Sequence, residues 1–333
     1  MNSVWISQKR DRFAHPIDLL RISITDLCNE RCLYCSPLGF LPKHSPGRIL
    51  DFSEILKIAR VSVELGIRNI RLTGGEPLAR KGTANLVKLL AEIPGLESIG
   101  MTTNGTLLAQ YANVLREAGL HSINVSLDAI SPAIYQMITR HKIEPVLAGI
   151  EACRAAGFSS IKLNMVLMRG INDSEILPLV DFAAERNLIL RFIELMPMIS
   201  CGPLSRDHFF SIEETKNLLT RKDSLIPLNQ VQLGHGPAEY FRLQKTDVIV
   251  GFIGAMTNFH FCDNCNKIRL TADGKIRPCL GNSIEYDLKP ALENSDSVRS
   301  LRQLILQILE GKPVGHLFRT GFCADRSMTA IGG

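Results

Sequence analysis

From about residue 20 to 200, two kinds of segment alternate along the chain. Short runs rich in β-branched residues ("LLRISIT", "IRNIRLT", "LESIGMTT", "HSINVSL", "SSIKLNMVLM", "LILRFIEL") predict strands. Between them, apolar residues recur every three to four positions ("FSEILKIARVSVELG", "TANLVKLLAEIPG", "LAQYANVLREAG", "EPVLAGIEACRAAG", "SEILPLVDFAAER"), which predicts amphipathic helices. Gly66, Gly95, Gly119 and Gly157 stand where four of these helices should stop. Strand–helix alternation implies parallel pairing through right-handed crossovers. Six units fall short of the eight of a closed barrel. The pattern therefore predicts an α/β fold with an open, partial (β/α)6 barrel, a doubly wound sheet being the alternative.

Beyond residue 200 the alternation breaks. "CGPLSRDHFFSIEETKNLLT" reads as a loop and a short helix, and "EYFRLQKTDVIVGFIGA" as one or two strands. "KIRLTADGKIRPCL" reads as a hairpin turning at Asp273-Gly274, and "VRSLRQLILQILEGK" as a terminal helix. The last residues, "RSMTAIGG", read on sequence alone as a flexible tail. We divide the chain into a barrel over 1–230 and a C-terminal extension over 231–333.

Polar residues cluster just after the apolar part of each predicted strand: Thr25 and Asp26, then "TGGEP", "TTNG", Ser126 with Asp128, Asn164, and Glu194 with Met196. Sites in parallel α/β barrels lie at that end of the strands. The glycines of "TGGEP" suggest a backbone that a ligand can approach closely.

Composition narrows the classes. A formal net charge of +5 over 333 residues is too mild to argue nucleic-acid binding, but suits an anionic small molecule. Aromatics at 6% argue against base stacking by a nucleic-acid adaptor. The first sixteen residues lack the apolar core of a signal peptide, and no apolar run is long enough for a membrane span. These features place the chain in the cytoplasm, where clustered cysteines are metal ligands more often than disulfides.

There are two such clusters. Cys28, Cys32 and Cys35 follow the first predicted strand in a C-x-x-x-C-x-x-C array, and Cys262, Cys265 and Cys279 form a second triad. Each could be a zinc site that borrows a fourth ligand such as His44 or His260. Or each could hold an iron–sulfur cubane on three thiolates, with one iron left for substrate; zinc fits the second spacing tolerably and the first less well. Cys153, Cys201 and Cys323 look isolated, and Cys153 lies on an apparent helix face, as expected of a core residue.

The first array, with an aromatic between its last two cysteines, resembles the signature of the radical S-adenosylmethionine enzymes, and "TGGEP" resembles their Gly-Gly-Glu-Pro segment. "LRISITDLCNERCLYCSP", "IRLTGGEPLAR", "TTNGTLL", "INVSLDA", "RFIELMPM", "CNKIRLTADGKIRPCL" and the final "IGG" follow the order found in the GTP 3′,8-cyclase family. That family belongs to molybdenum cofactor biosynthesis. The resemblance implies two [4Fe-4S] clusters, one on Cys28, Cys32 and Cys35, the other on Cys262, Cys265 and Cys279. It implies S-adenosylmethionine contacts at Tyr34, Gly75, Ser126 and Met196. It implies GTP contacts at Arg21, Arg71, Thr102, Lys162, Lys267 and Arg269, and a catalytic set of Arg71, Arg269, Gly332 and Gly333. The implied reaction cleaves S-adenosylmethionine reductively, takes hydrogen from ribose C3′ of GTP, and closes C3′ onto guanine C8, giving (8S)-3′,8-cyclo-7,8-dihydroguanosine 5′-triphosphate. Implied partners are an electron donor such as flavodoxin or ferredoxin, the next pathway enzyme (cyclic pyranopterin monophosphate synthase), and a second copy in a homodimer. The chain departs from the pattern at Lys267, where arginine is usual, at Leu27 and Glu30, and at Cys201-Gly202-Pro203. These leave open a paralogue with altered substrate. The competing activity within the superfamily is peptide modification, against which the basic strand-end set and the terminal Gly-Gly argue.

Overall fold

A computed structural model describes residues 17–35, 49–198, 204–228, 233–234, 236–263, 265–323 and 326–332. Six parallel strands follow the predicted segments: β1 (Leu19–Ser23), β2 (Asn69–Thr73), β3 (Ser98–Thr103), β4 (Ser122–Ser126), β5 (Ile161–Leu167) and β6 (Ile189–Glu194). The helices between them are α1 (Phe52–Glu64), α2 (Thr83–Ala91), α3 (Leu108–Glu117), α4 (Pro132–Thr139), α5 (Glu144–Ala155) and α6 (Ile176–Arg186). The four predicted stop glycines all take positive φ. Of the six helices, α4 has no counterpart in the sequence reading. Its eight residues are too few to establish a helical period, although Pro132 opens it and Arg140 closes it in the left-handed conformation.

The region after residue 200 adds α7 (Leu204–Asp207), α8 (Ile212–Thr220), α9 (Lys289–Glu293), α10 (Ser297–Glu310) and α11 (Met328–Ile331). It also adds β7 (Leu225–Pro227), β8 (Glu239–Leu243), β9 (Ile249–Ile253), β10 (Lys267–Leu270), β11 (Lys275–Arg277) and β12 (Tyr286–Asp287). These strands extend the barrel's own sheet. β10 pairs in parallel with β1, and β9 in parallel with β6. β11–β12 and β7–β8 continue outward antiparallel, giving the order β12-β11-β10-β1-β2-β3-β4-β5-β6-β9-β8-β7. The two ends do not pair, so the barrel is open. The β10–β11 hairpin turns through Gly274, as predicted.

Strands of a parallel sheet covered by helices usually read as unbroken apolar runs, because both faces are buried. Here one face breaks the rule. Leu20, Ile22, Ile70, Leu72, Ile123, Val125, Leu163 and Phe192 are fully buried in the main core. Between them, Arg21, Arg71, Asn124, Lys162 and Arg191 point the other way, into a shared cavity. The inside of this barrel is therefore built to hold a polar guest rather than to be filled by side chains.

Candidate functional site

The cavity has a volume of about 300 Å³. Both cysteine triads line it, and so do Tyr34, Gly75, Ser126 and Met196, together with Arg21, Arg71, Thr102, Lys162, Lys267 and Arg269. Residues more than 250 positions apart in sequence thus meet in one chamber.

The loop carrying Cys28, Cys32 and Cys35 is braced from three sides. The Arg31 and Leu33 amides donate to the Thr139 and Ile138 carbonyls at the end of α4, each at 3.0 Å. Asn104 Nδ2 donates to Asn29 Oδ1 at 2.8 Å and stands 3.9 Å from Cys28 Sγ. Tyr34 Oη donates to Asp128 Oδ2 at 2.7 Å, while Asp128 Oδ1 accepts from the Val166 amide at 2.8 Å. The polar residues after the strands therefore serve largely to shape this loop. Glu30 is the one carboxylate lining the cavity among the described residues. It accepts from Tyr135 Oη at 2.6 Å and lies 3.8 Å from Cys32 Sγ, so this departure from the usual motif is buried against a cysteine of the first triad. Leu27, another departure, is about half exposed.

"TGGEP" differs in detail from the sequence reading. A Cβ on Gly75 would come within 2.2 Å of the Leu27 carbonyl oxygen, and one on Gly74 within 2.5 Å of that of Thr25. The glycines are demanded first by the chain leading into the cysteine loop, which hydrogen-bonds to the Gly75 and Glu76 amides through Thr25 and Leu27. Glu76 is fully buried, and its carboxylate is engaged by the Leu78 amide, the Thr103 hydroxyl and the Asn104 amide at 2.8–3.0 Å. Glu194 is likewise a staple, accepting from the Ile212, Met256 and Thr257 amides.

Burial raises the first three thiols. Cys28 and Cys35 are each pushed up to about 12, and Cys32 well above its ordinary value. Ligation needs thiolates, so this pocket favours them only with a cationic metal group in place. In the second triad burial raises Cys262, and Cys279 to about 11. Cys265 goes the other way: its own burial opposes ionisation, but Lys267 and Lys312 outweigh it. Lys312 is buried and donates to the Cys265 carbonyl at 2.8 Å. Among the described residues, no three Cys, His, Asp or Glu side chains are grouped around a single ion. Of the histidines weighed as fourth zinc ligands, His260 faces solvent and pairs with Asp263 at 2.7 Å. His44 lies outside the described residues. The donor set thus fits two clusters held by three thiolates each. Cys153 is buried in the core as expected, whereas Cys323 is disulfide-bonded rather than isolated. Cys201-Gly202-Pro203 lies outside the described residues.

The cations form a band around the inside. Register places Arg269, Arg21 and Arg71 side by side across β10, β1 and β2. Arg71 donates to the Met101 carbonyl at 3.4 Å. Arg191 on β6 belongs to the same chamber and was missed from sequence. Its Nε donates to Asn164 Oδ1 at 2.9 Å. Its only sequence signal is a charge at an inward position of a strand that otherwise reads as apolar. Burial and mutual repulsion lower these groups: Arg71 and Arg269 to about 10, Lys267 to about 8 and Lys162 to about 7. So many cations facing a single carboxylate is a costly arrangement that a polyanionic ligand would relieve.

The end of the chain turns inward. Met328 and Ile331 pack against Met196, Met198 and Phe318. The Gly332 carbonyl accepts from Arg269 NH1 at 2.9 Å. The tail is thus ordered through Gly332, correcting the sequence-only reading. Arg326 holds it in place by pairing with Asp273 at 3.0 Å and Glu285 at 3.1 Å. Met328 and Thr329 of the tail reach the cavity lining, Gly332 meets it through Arg269, and Gly333 lies outside the described residues.

Residues 22–183 match the Radical SAM superfamily, and residues 188–318 the Molybdenum Cofactor Synthesis C family. Among curated proteins, the chain is 41% identical over 325 residues to GTP 3′,8-cyclase of Petrotoga mobilis, covering 97% of this chain and 99% of that protein. It is 45% identical over 325 residues to GTP 3′,8-cyclase of Moorella thermoacetica, covering 97% of this chain and 100% of that protein. Among solved structures, Streptococcus suis SuiB bound to S-adenosylmethionine superposes with a TM-score of 0.65 at 16% identity, over 91% of this chain and 67% of that one, a likeness of fold alone. The full-length kinship, the open parallel barrel and the two three-cysteine sets agree: the chain belongs to the GTP 3′,8-cyclase family of the radical S-adenosylmethionine superfamily.

Proposed function

We propose that this chain converts GTP to (8S)-3′,8-cyclo-7,8-dihydroguanosine 5′-triphosphate in molybdenum cofactor biosynthesis. The observation that carries this reading is the single chamber in which two three-thiol sets face each other across a band of six cations. Cys28, Cys32 and Cys35 would hold one [4Fe-4S] cluster, and Cys262, Cys265 and Cys279 a second. Bound there, with S-adenosylmethionine, they would supply a 5′-deoxyadenosyl radical and the electrons of the reaction.

The chain's own residues supply place and charge. Tyr34, Gly75, Ser126 and Met196 would seat S-adenosylmethionine beside the first set. Arg21, Arg71, Thr102, Lys162, Lys267 and Arg269, with Arg191, would bind GTP, the guanidiniums offering paired donors to phosphate oxygens. Residues 1–230 would serve the radical-generating half and 231–333 the half that holds the second cluster. A flavodoxin or ferredoxin would deliver electrons, and cyclic pyranopterin monophosphate synthase would take the product. We place the protein in the cytoplasm, as a homodimer. No described helix is long and apolar enough to cross a membrane.

The test is anaerobic reconstitution, which should load about eight irons per chain on two cubanes, followed by assay for the cyclised nucleotide. Stoichiometric zinc without iron would overturn the reading. Arg71→Ala and Arg269→Ala should each weaken GTP binding by roughly 1.5–3 kcal/mol, the scale of a hydrogen bond to a charged group, and leave S-adenosylmethionine affinity nearly unchanged. Lys267→Arg should be tolerated.

Lys162 makes binding depend on pH. Burial, with Arg191 and Arg71 beside it, holds its amine down to about 7. Above that pH the free site carries it mostly neutral, while a bound polyphosphate favours the ammonium. GTP binding at pH 8 should therefore take up a proton, and affinity should fall by up to about tenfold per pH unit above 7. Calorimetry in buffers of different ionisation enthalpy measures the uptake. Lys162→Arg should lower it to the share of Lys267, which is held down to about 8, and equal uptake in that variant would place the titrating group elsewhere.

A further inference from the structure

Asn124, in the middle of β4, lines the chamber at 4% exposure. Its Nδ2 points to Thr102 Oγ1 at 3.5 Å, and its Oδ1 meets no hydrogen-bond donor. A buried amide oxygen without a donor carries an uncompensated desolvation cost. Turning the amide over would only exchange the orphan atom.

Register fixes what surrounds it. Thr102, Asn124 and Lys162 lie side by side across β3, β4 and β5. Toward the start of the strands lies the row of Arg269, Arg21 and Arg71. Toward their ends lies the row of Ser126, Asn164 and Arg191. The cations on either side are donors, suited to phosphate oxygens. Asn124 Oδ1 is an acceptor among them, so it calls for a donor on the guest.

The inference rests on the GTP reading above. In a nucleoside triphosphate the sugar joins phosphates to base, and here its C3′ must face the S-adenosylmethionine side, marked by Ser126. The sugar therefore spans the row between the arginines and Ser126, which is the row of Asn124. We infer that Asn124 Oδ1 accepts a hydrogen bond from a ribose hydroxyl of GTP and so fixes which face of the sugar is presented to the radical. Asn124 is then a substrate-contacting specificity residue for ribose over deoxyribose.

The experiment measures equilibrium binding of GTP, 2′-deoxyGTP and 3′-deoxyGTP to the reconstituted holoenzyme and to its Asn124→Leu variant. The parent should bind one deoxynucleotide about tenfold more weakly than GTP, the effect of leaving one buried acceptor unpaired. Asn124→Leu should lose about the same factor on GTP and show no further loss on that analogue. Its ratio of 5′-deoxyadenosine to cyclised product should rise, which a purely structural residue would not cause at unchanged iron content. If Asn124→Leu fails to load clusters, Asn124→Ala takes its place. A variant that discriminates among the three nucleotides as the parent does overturns the inference, even where the parent's GTP binding upholds the reading beneath it. A parent that binds no GTP overturns both.

Discussion

Cys32→Ser protein, reconstituted without oxygen, is expected to release no 5′-deoxyadenosine above background, while Cys265→Ser still releases some and makes no cyclised nucleotide. The two thiols differ in position, not in kind. Cys32 sits in the loop that Tyr34 and Asp128 hold against Ser126 and Gly75, the proposed seat of S-adenosylmethionine. Cys265 lies across the chamber, with Lys267 beside it and its carbonyl held by Lys312. Loss of a partner merely adjacent to a metal ligand commonly costs 10–100-fold, so loss of a ligand should cost at least about a hundredfold. Each variant should keep about half the parent's iron, since neither triad shares a residue with the other. The check is 5′-deoxyadenosine and cyclised product measured together, with iron content as the control. Equal loss of cleavage in two variants that both retain four irons would sink the division of labour.

Gly332→Ala should abolish cyclisation with both clusters intact. Gly332 has φ +81°, and a Cβ there would meet Thr73 Cγ2 at 2.8 Å and Ser23 Cβ at 3.1 Å. Both contacts belong to strands β1 and β2, which cannot move without disturbing Arg21 and Arg71. The left-handed strain adds about 1–3 kcal/mol for a residue with a side chain. The cheaper response is for the tail to leave, taking the carbonyl from Arg269. Arg326→Ala should weaken the same arrangement from the other end. It breaks partly buried pairs with Asp273 and Glu285, leaving Glu285 paired with Arg277 and Lys275 among the described residues. GTP should still bind to both variants, because Arg269 is freed rather than removed. Deleting Gly332 and Gly333 should act like Gly332→Ala. Full turnover in the truncated protein would make the tail a bystander.

The sequence by itself determined the six βα units, because the switch between two-residue and 3.6-residue periodicity needs no tertiary context to be seen. It also offered the two cysteine triads as candidate ligand sets, because three thiols at C-x-x-x-C-x-x-C spacing, and a later C-x-x-C with a third cysteine, have few other uses. Arg21, Arg71, Lys162 and Arg269 stand out because they match the family's GTP-binding positions, and basic side chains on predicted strands suit a polyanion. Only the tertiary structure decided the rest. That β9 and β10 extend opposite edges of the barrel depends on pairing between strands far apart in sequence, and no local pattern encodes it. Arg191 and Asn124 look like ordinary polar residues in short strands until register sets them beside Asn164 and Lys162. Helix α4 is too short to show a period, yet its end carries the cysteine loop. The terminal glycines read as a frayed end because composition cannot report what a tail packs against. What orders Gly332 is the apolar seat for Met328 and Ile331, the Arg326 ion pairs, and a gap between Ser23 and Thr73 that only a residue without a side chain can enter.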